Sequence, residues 1–385
     1  MGRFIILYAI SFYMGDKKQK GFTVIMKPTH SCNLACKYCY IEESAEKGVM
    51  SQTTLENSIE KIVLFNGEEK ETHFIWHGGE PLLMGIDFFE NIRDIQKNLG
   101  KKYKISNGIQ TNGTLLNPDL LDFIEKNRDF YLGLSLDGPR ELHNQTRAYK
   151  GGGGSFDDVM RGIDLIKERE RVGGGVIAVI TQINIDHFSE LYNFFKANHI
   201  NFKANPLIRS GEANKNYNQM TISPKQYGHF LIDLFDTWFY DPEGDKISVD
   251  PLEKIAGNLI TGSPVGCNYS KSCQNNFISI GPLGDVYPCG RFDGIQEFKY
   301  GNINSNSVEN LLNNPSRKLL LQRGVETIEG CSPCEYKQIC NAGCIHNAYM
   351  VNGQVNEKDY YCTSYKMIFD HIKKAIKKEI NLRVK

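Results

Sequence analysis

Residues 29–40 read THSCNLACKYCY and follow, after Pro28, the apolar run FTVIMK (22–27). In that stretch Cys32, Cys36 and Cys39 stand at C-x3-C-x2-C spacing. Three thiolates so close on one loop can hold three irons of a cubane cluster and leave the fourth iron open to a small molecule. A structural zinc site would instead be closed by a fourth local Cys or His, and the near candidate, His30, precedes Cys32 by two residues.

Outward from this loop, β-branched and aromatic runs alternate with amphipathic stretches, the pattern of repeated β/α units on a parallel sheet. The strand runs are FTVIMK (22–27), THFIW (72–76), KISNGIQ (104–110), FYLGLSL (130–136), VIAVIT (176–181) and FKANPL (202–207). Among the helices between them, Phe188, Leu191, Tyr192 and Phe195 share one face. Ser155 with Asp157 and Asp158 predicts a capped, acidic start to the helix bearing Val159, Ile163 and Ile166. The class is therefore α/β, an incomplete (β/α)6 TIM-like barrel open on one side. The linker-like GGGGS at 151–155 is flanked by the same pattern and reads as a surface loop of the barrel. A helix over 223–240 and the turn DPEGD (241–245) close this unit. The expected division is an N-terminal extension (1–21), the partial barrel (22–245) and a smaller, loop-rich iron–sulfur domain with a C-terminal helix (246–385). In that helix Ile368, Ile372, Ile376 and Ile380 share one face and lysines the other, a solvated face by its composition.

A chain of 385 residues can bury a large core, and 45 basic against 45 acidic residues give no long-range pull toward nucleic acid or an anionic membrane. Its eleven cysteines are unusual. A secreted disulfide framework would bring a signal peptide, a smaller domain and an even count. The N-terminus MGRFIILYAISFYMG has no small-residue cleavage site, and its apolar run is shorter than the roughly 20 residues that span a bilayer. Ile6 stands where a myristoylation motif needs Ser or Thr. Residues 1–13 read as a loosely docked extension or as a false start ahead of Met14. The expected compartment is the cytoplasm.

The second part carries Cys273, Gly284 and Cys289 in C-x(9–15)-G-x4-C order, then Cys331, Cys334, Cys340 and Cys344 as C-x2-C-x5-C-x3-C, then Cys362. Two zinc ribbons are the rival reading, since C-x2-C knuckles occur in both.

With WHGGEPLL (76–83), QTNGTLL (110–116) and GLSLDGPRELHNQTR (133–147) in register after successive strands, the cysteine triad resembles that of radical S-adenosylmethionine (SAM) enzymes. The resemblance implies that the open iron chelates SAM, whose reductive cleavage yields methionine and a 5′-deoxyadenosyl radical. It also implies SAM contacts from Tyr38, Gly78, Gly79, Glu80, Pro81, Ser135 and Arg161. Glycines suit a close backbone approach and a carboxylate suits an ammonium. The later cysteines resemble the SPASM domain of radical SAM enzymes that modify peptides and proteins. By that resemblance Cys267, Cys273, Cys289 and Cys344 hold a first auxiliary [4Fe–4S] cluster, and Cys331, Cys334, Cys340 and Cys362 a second. With the SAM cluster this makes three clusters.

Anaerobic sulfatase-maturating enzymes and peptide maturases are the nearest resemblances, from about Phe22 to the C-terminal helix. The former carry an aspartate directly after the cysteine of their YPC segment, as the general base that helps oxidise Cys or Ser to formylglycine. Here YPCGRF (287–292) has Gly290 there, and glycine accepts no proton. Asp285 and Asp293 are the nearby carboxylates, each read by default as solvated. Maturation of a ribosomally made peptide by thioether or carbon–carbon crosslinking is therefore the favoured expectation, with sulfatase maturation second. A non-catalytic electron carrier is third, and it has no need of GGEP or an open iron. The expected partners are a peptide or protein substrate and a flavodoxin- or ferredoxin-like reductant.

Overall fold

The computed structural model describes residues 20–45, 47–170, 172–271 and 273–383, so the extension 1–13 and Met14 lie outside the described residues. Each expected strand forms: β1 (Lys20–Met26), β2 (Glu71–Trp76), β3 (Lys104–Thr111), β4 (Phe130–Ser135), β5 (Val176–Ile180) and β6 (Phe202–Pro206). They lie side by side in chain order, every neighbouring pair parallel. Parallel neighbours need a connection long enough to return to the same end of the sheet. Here α1 (Gln52–Asn66), α2 (Ile86–Leu99), α3 (Pro118–Lys126), α4 (Arg140–Thr146), α5 (Phe156–Lys167) and α6 (Phe188–Ala197) make those returns.

The strands show why one face meets helices and the other a cavity. In β5, Val176, Ala178 and Ile180 are buried in the common core, while Ile177 and Val179 between them line an internal cavity. Gln110, Ser135 and Asn205 line the same cavity from β3, β4 and β6.

The sheet extends past the expected six strands on both sides. Val249–Asp250 (β7) pairs with β6. Phe277–Ile280 (β8) pairs parallel with β1, and β9 (Asp285–Tyr287) and β10 (Gly301–Asn302) continue antiparallel. The order β10-β9-β8-β1-β2-β3-β4-β5-β6-β7 leaves the barrel open among the described residues. The cysteine-rich part is loop-rich as expected, but its strands are continuous with the barrel sheet. Its β-runs are too short to stand out by periodicity, and pairing with β1 makes them strands.

Ser155 does not cap α5. Its hydroxyl bonds the Arg147 carbonyl at 2.7 Å, and Asn144 Oδ1 accepts from the first amide, Phe156 N, at 3.1 Å. The loop at 151–154 is exposed, as expected. The helix expected over 223–240 is α7 (Pro224–Phe239), and it packs along the C-terminal helix α8 (Cys362–Arg383). There Ile368 and Ile372 are fully buried and Lys374, Lys377 and Lys378 are exposed, whereas the side chain of Ile380 lies outside the described residues. No helix among the described residues is long and apolar enough to cross a membrane. Ser223 begins α7 with a reciprocal capping box to Gln226. Ser223→Ala is expected to cost about 1 kcal/mol, measured as a lower melting temperature; an unchanged melt would show that the cap contributes nothing.

Candidate active site

β1 delivers the chain to the cysteine loop. The Cys39 amide bonds the Cys36 carbonyl at 3.1 Å, which folds the second and third cysteines into one turn. Two donors face Cys32 Sγ, the Leu34 amide at 3.4 Å and Asn112 Nδ2 at 3.7 Å. Burial pushes the Cys36 thiol up to about 12 and raises that of Cys32. Thiols so disfavoured as anions ionise in place when a metal takes up the charge, and N–H groups aimed at sulfur suit a cluster ligand. The donor set therefore fits an iron–sulfur cluster. None of the eleven cysteines is in a disulfide.

The GGEP segment packs on the back of this loop. The Gly79 amide bonds Thr29 O and the Glu80 amide bonds Ser31 O, both at 2.9 Å. A Cβ on Gly78, whose φ is +117°, would stand 2.3 Å from Thr29 O, and one on Gly79 would stand 2.1 Å from Ser31 O. Glycine is thus required by the approach of two backbones. Glu80 is fully buried and accepts from Thr111 Oγ1 (2.7 Å), the Asn112 amide (2.7 Å) and the Leu82 amide (2.9 Å). Pro81 begins the 3-10 turn behind it and is buried. Gly78 and Gly79 line the cavity; Glu80 and Pro81 do not.

That cavity, about 330 Å³, is the central feature. Cys32, Cys36 and Cys39 line one part of it, and Cys267, Cys273, Cys289 and Cys344 another. Cys331, Cys334, Cys340 and Cys362 line a separate, smaller pocket with Tyr336, Tyr365 and Asp359. The structure thus brings the cysteines together as three sets.

Of the expected SAM contacts, Ser135 and Tyr38 line the cavity. The Tyr38 hydroxyl donates to Asp137 Oδ2 at 2.6 Å and accepts from Arg147 Nη1 at 2.5 Å. Arg147 is 7% exposed, lines the cavity and leaves its buried Nε without a partner. Arg161, in contrast, is half exposed and bonds the carbonyls of Thr114 and Leu116. Arg147 escaped the sequence reading although it closes the 133–147 segment, because nothing in a charge pattern tells a buried arginine from a solvated one.

Neither nearby carboxylate reaches the cavity lining. Asp285 is buried beside Lys299 and Asn302. Asp293 is 2.9 Å from Lys27 Nζ and 2.8 Å from His30 Nε2. Burial opposes its charge, but Lys27 and then His30 outweigh burial and hold its carboxyl at about 2. Both carboxylates are buried and paired, not solvated. Lys27 Nζ also donates to Gly290 O at 2.8 Å.

The comparisons with known proteins bear on these same segments. The profile of the radical SAM superfamily matches residues 26–195, and that of an iron–sulfur cluster-binding domain, SPASM, matches residues 267–335. A cysteine-type anaerobic sulfatase-maturating enzyme of Clostridium perfringens is 30% identical over 360 residues, covering 91% of this chain and 95% of that one. The chain belongs to the radical SAM family that includes these maturases. A serine-type anaerobic sulfatase-maturating enzyme of Bacteroides thetaiotaomicron is likewise 30% identical, over 381 residues, with 92% and 90% of the two chains covered. The solved structure of native anSMEcpe with bound AdoMet superposes with a TM-score of 0.82 at 28% identity, over 94% of this chain and all of the other.

As a radical SAM and SPASM protein, the chain is an enzyme that takes SAM and a [4Fe–4S] cluster in its first part and auxiliary iron–sulfur clusters in its second. The zinc-ribbon and bare-carrier readings fall away. Two predictions follow from the family site as built here. Gly79→Ala should cost the SAM cluster, about four irons per chain, because the clashing atom is backbone; full iron content would refute the close-approach argument. Asp293→Asn leaves Lys27 buried and unpaired and should destabilise by about 3–5 kcal/mol. Because the Asp293 carboxyl is held below its unfolded value, its contribution is present above that value and is lost as pH falls from about 4 to about 2. Acid unfolding curves of wild type and variant should therefore converge at low pH, and parallel curves would count against the pairing.

Proposed function

We propose that this enzyme oxidises a cysteine side chain within a peptide segment of a protein substrate, in the manner that the names of its cysteine-type sulfatase-maturating relatives describe. The observation that carries this reading is the single cavity lined both by Cys32, Cys36 and Cys39 and by Cys267, Cys273, Cys289 and Cys344. The expectation had ranked peptide crosslinking above formylglycine formation; relatives that align over nine-tenths of the chain support formylglycine formation better. The same division of labour is proposed along the chain, with 22–245 for SAM and 246–385 for the auxiliary clusters.

Bound SAM and its cluster supply the radical that removes a hydrogen atom from the substrate, delivered its electron by a flavodoxin- or ferredoxin-like donor. The chain's own residues position and shelter. Ile177, Val179, Ile208 and Phe277 give the cavity apolar walls that exclude water. Tyr38, locked between Asp137 and Arg147, and Ser135 offer fixed polar groups for SAM. Arg147, buried and with an unpartnered Nε, is proposed as the cation for the SAM carboxylate in place of Arg161. His77 accepts the Gly78 amide on Nδ1 at 2.7 Å, and burial keeps the ring neutral, near pKa 4. Its proton therefore sits on Nε2, and it presents a donor, not a base.

No carboxylate lines the cavity among the described residues. A thiol is a few per cent ionised at neutral pH without an enzymic base, whereas a hydroxyl is not. This favours cysteine over serine as the target. It also favours a second reading, thioether crosslinking, which consumes a cysteine as well.

The test is anaerobic reconstitution with SAM and dithionite, scoring 5′-deoxyadenosine and substrate mass. Wild type should form 5′-deoxyadenosine and convert a cysteine-containing sulfatase peptide but not its serine counterpart; the Cys32/Cys36/Cys39→Ala variant should do neither. A mass loss of two hydrogens on the cysteine peptide, with the sulfur retained in a crosslink, would select the second reading, and turnover of the serine peptide alone would refute both. If formylglycine is the product, Gly290→Asp should raise its rate of formation roughly 100-fold, the low end of general-base effects. A Cβ there meets Ile25 at 3.2 Å and needs only a small shift. Arg147→Gln should weaken SAM binding roughly 10- to 100-fold, and Arg161→Gln should leave it unchanged; the reverse result would restore the original assignment to Arg161.

A further inference from the structure

Arg291 is the residue in the cavity wall whose charge nothing yet explains. It follows Cys289 and Gly290, lines the cavity between the two cysteine sets and is buried in protein on its other sides. Its guanidinium bonds Cys344 Sγ at 3.5 Å and Asn347 Oδ1 at 3.3 Å, both through Nη1. Neither partner is a carboxylate. A guanidinium so enclosed needs negative charge beside it; the Asp359 carboxylate, on which it acts, is already bonded by Asn347 and by the amides of Cys344 and Tyr361, so it is shared.

Burial opposes the charge of Arg291; the groups that favour it are, in order, Cys344, Cys267 and Cys289, three of the four cysteines assigned to the first auxiliary cluster, and then Tyr365. Burial pushes the Cys289 thiol up to about 12 and raises that of Cys344. As cluster ligands they are thiolates and carry net negative charge. The remaining contacts hold the guanidinium beside Cys344. Asn347 turns its oxygen to Arg291 because its Nδ2 donates to Asp359 at 3.2 Å, and Asp359 Oδ2 also accepts the Cys344 amide at 2.7 Å. Arg291, Asn347, Asp359 and Cys344 thus close a ring around one ligand, with Cys344 bonded through both its backbone and its sulfur.

We propose that Arg291 is the counter-charge of the first auxiliary cluster, a positioning residue that holds Cys344 and raises that cluster's reduction potential. Net charge and N–H groups directed at sulfur are among the factors that set such potentials, and a fixed cation favours the state carrying the extra electron. The proposal rests on the cysteine sets given above and deepens the proposed oxidation, since a more positive auxiliary cluster is the better acceptor. It predicts nothing about substrate, so it can be read without one.

The experiment is an EPR-monitored redox titration in the Cys32/Cys36/Cys39→Ala background, with iron analysis. About eight irons per chain confirm that only two auxiliary clusters remain; fewer in the parent protein would count against the ligand sets themselves. Arg291→Gln should move one of the two reduction waves to lower potential by a tenfold change in equilibrium constant or more, ~59 mV for one electron, and leave the other in place. Arg291→Lys, which keeps the charge but not the planar fork, should lie between. If Arg291→Gln sheds about four irons while Arg291→Lys keeps them, assembly depends on the charge and the proposal stands. Two unmoved waves at full iron content, or equal loss of iron in both variants, overturn it.

Discussion

An ammonium group with no access to water ties the two cysteine-bearing regions together. Lys27, the residue that leaves β1 for the cysteine loop, is fully buried, and its Nζ is satisfied by Gly290 O and by the Asp293 carboxylate, both from the segment after Cys289. A lysine cannot be left there without these partners. The start of the Cys32 loop and the end of the Cys289 loop are therefore held in one place, and the cavity between them has fixed walls. His30 adds a second contact from the cysteine loop to the same carboxylate. Folding of the first region is in this sense incomplete without the second.

The sheet serves the same end by different means. β8 adds to the free edge of β1, pairing Val24 with Ile278 and Met26 with Ile280, so that the segment running from Cys273 through β8 and β9 to Cys289 is tied to the strand that leads into the Cys32 loop. On the other flank of β1, the close approach of Gly78 and Gly79 to the carbonyls of Thr29 and Ser31 fixes the cysteine loop from behind. Three contacts of different kinds, strand pairing, backbone against backbone and a buried ion pair, converge on about twenty residues. A loop that must carry a cluster and leave one iron open needs such support, because the cluster itself supplies fewer bonds to the chain than a closed site would.

Strands β1 to β6 and the helix at α7 were legible because each has a clear period and marked ends, and the cysteine loop because its spacing is rare. The junction was not legible. β8 is four residues long and gives periodicity nothing to work on; it becomes a strand only against β1. The roles of charged residues were obscured for a related reason. Asp293 and Arg147 look like surface residues in a sequence, and their burial depends on partners 263 and 109 residues away. Ser155 shows the converse: its position suited a cap, but a nearby carbonyl, that of Arg147, took the hydroxyl first.

Gly290 connects these features to chemistry. Its carbonyl is bound by Lys27, so its position is set by the ion pair whether or not a side chain is present. A side chain at 290 would start against Ile25 and Lys27, at a residue that lines the space two cysteine sets share. Without one, the cavity has apolar walls, cations and neutral imidazoles at His77 and His346, but no carboxylate among the described residues. On the proposed reading, oxidation of a side chain that must lose a proton as well as a hydrogen atom and an electron then favours groups acidic enough to ionise unaided. A cysteine thiol, with an ordinary pKa of about 8.5, meets that requirement and a serine hydroxyl does not. On the proposed reading, glycine at 290 thus favours cysteine as the substrate side chain without altering the fold, because the hydrogen bond from Lys27 that locates residue 290 runs to its backbone carbonyl.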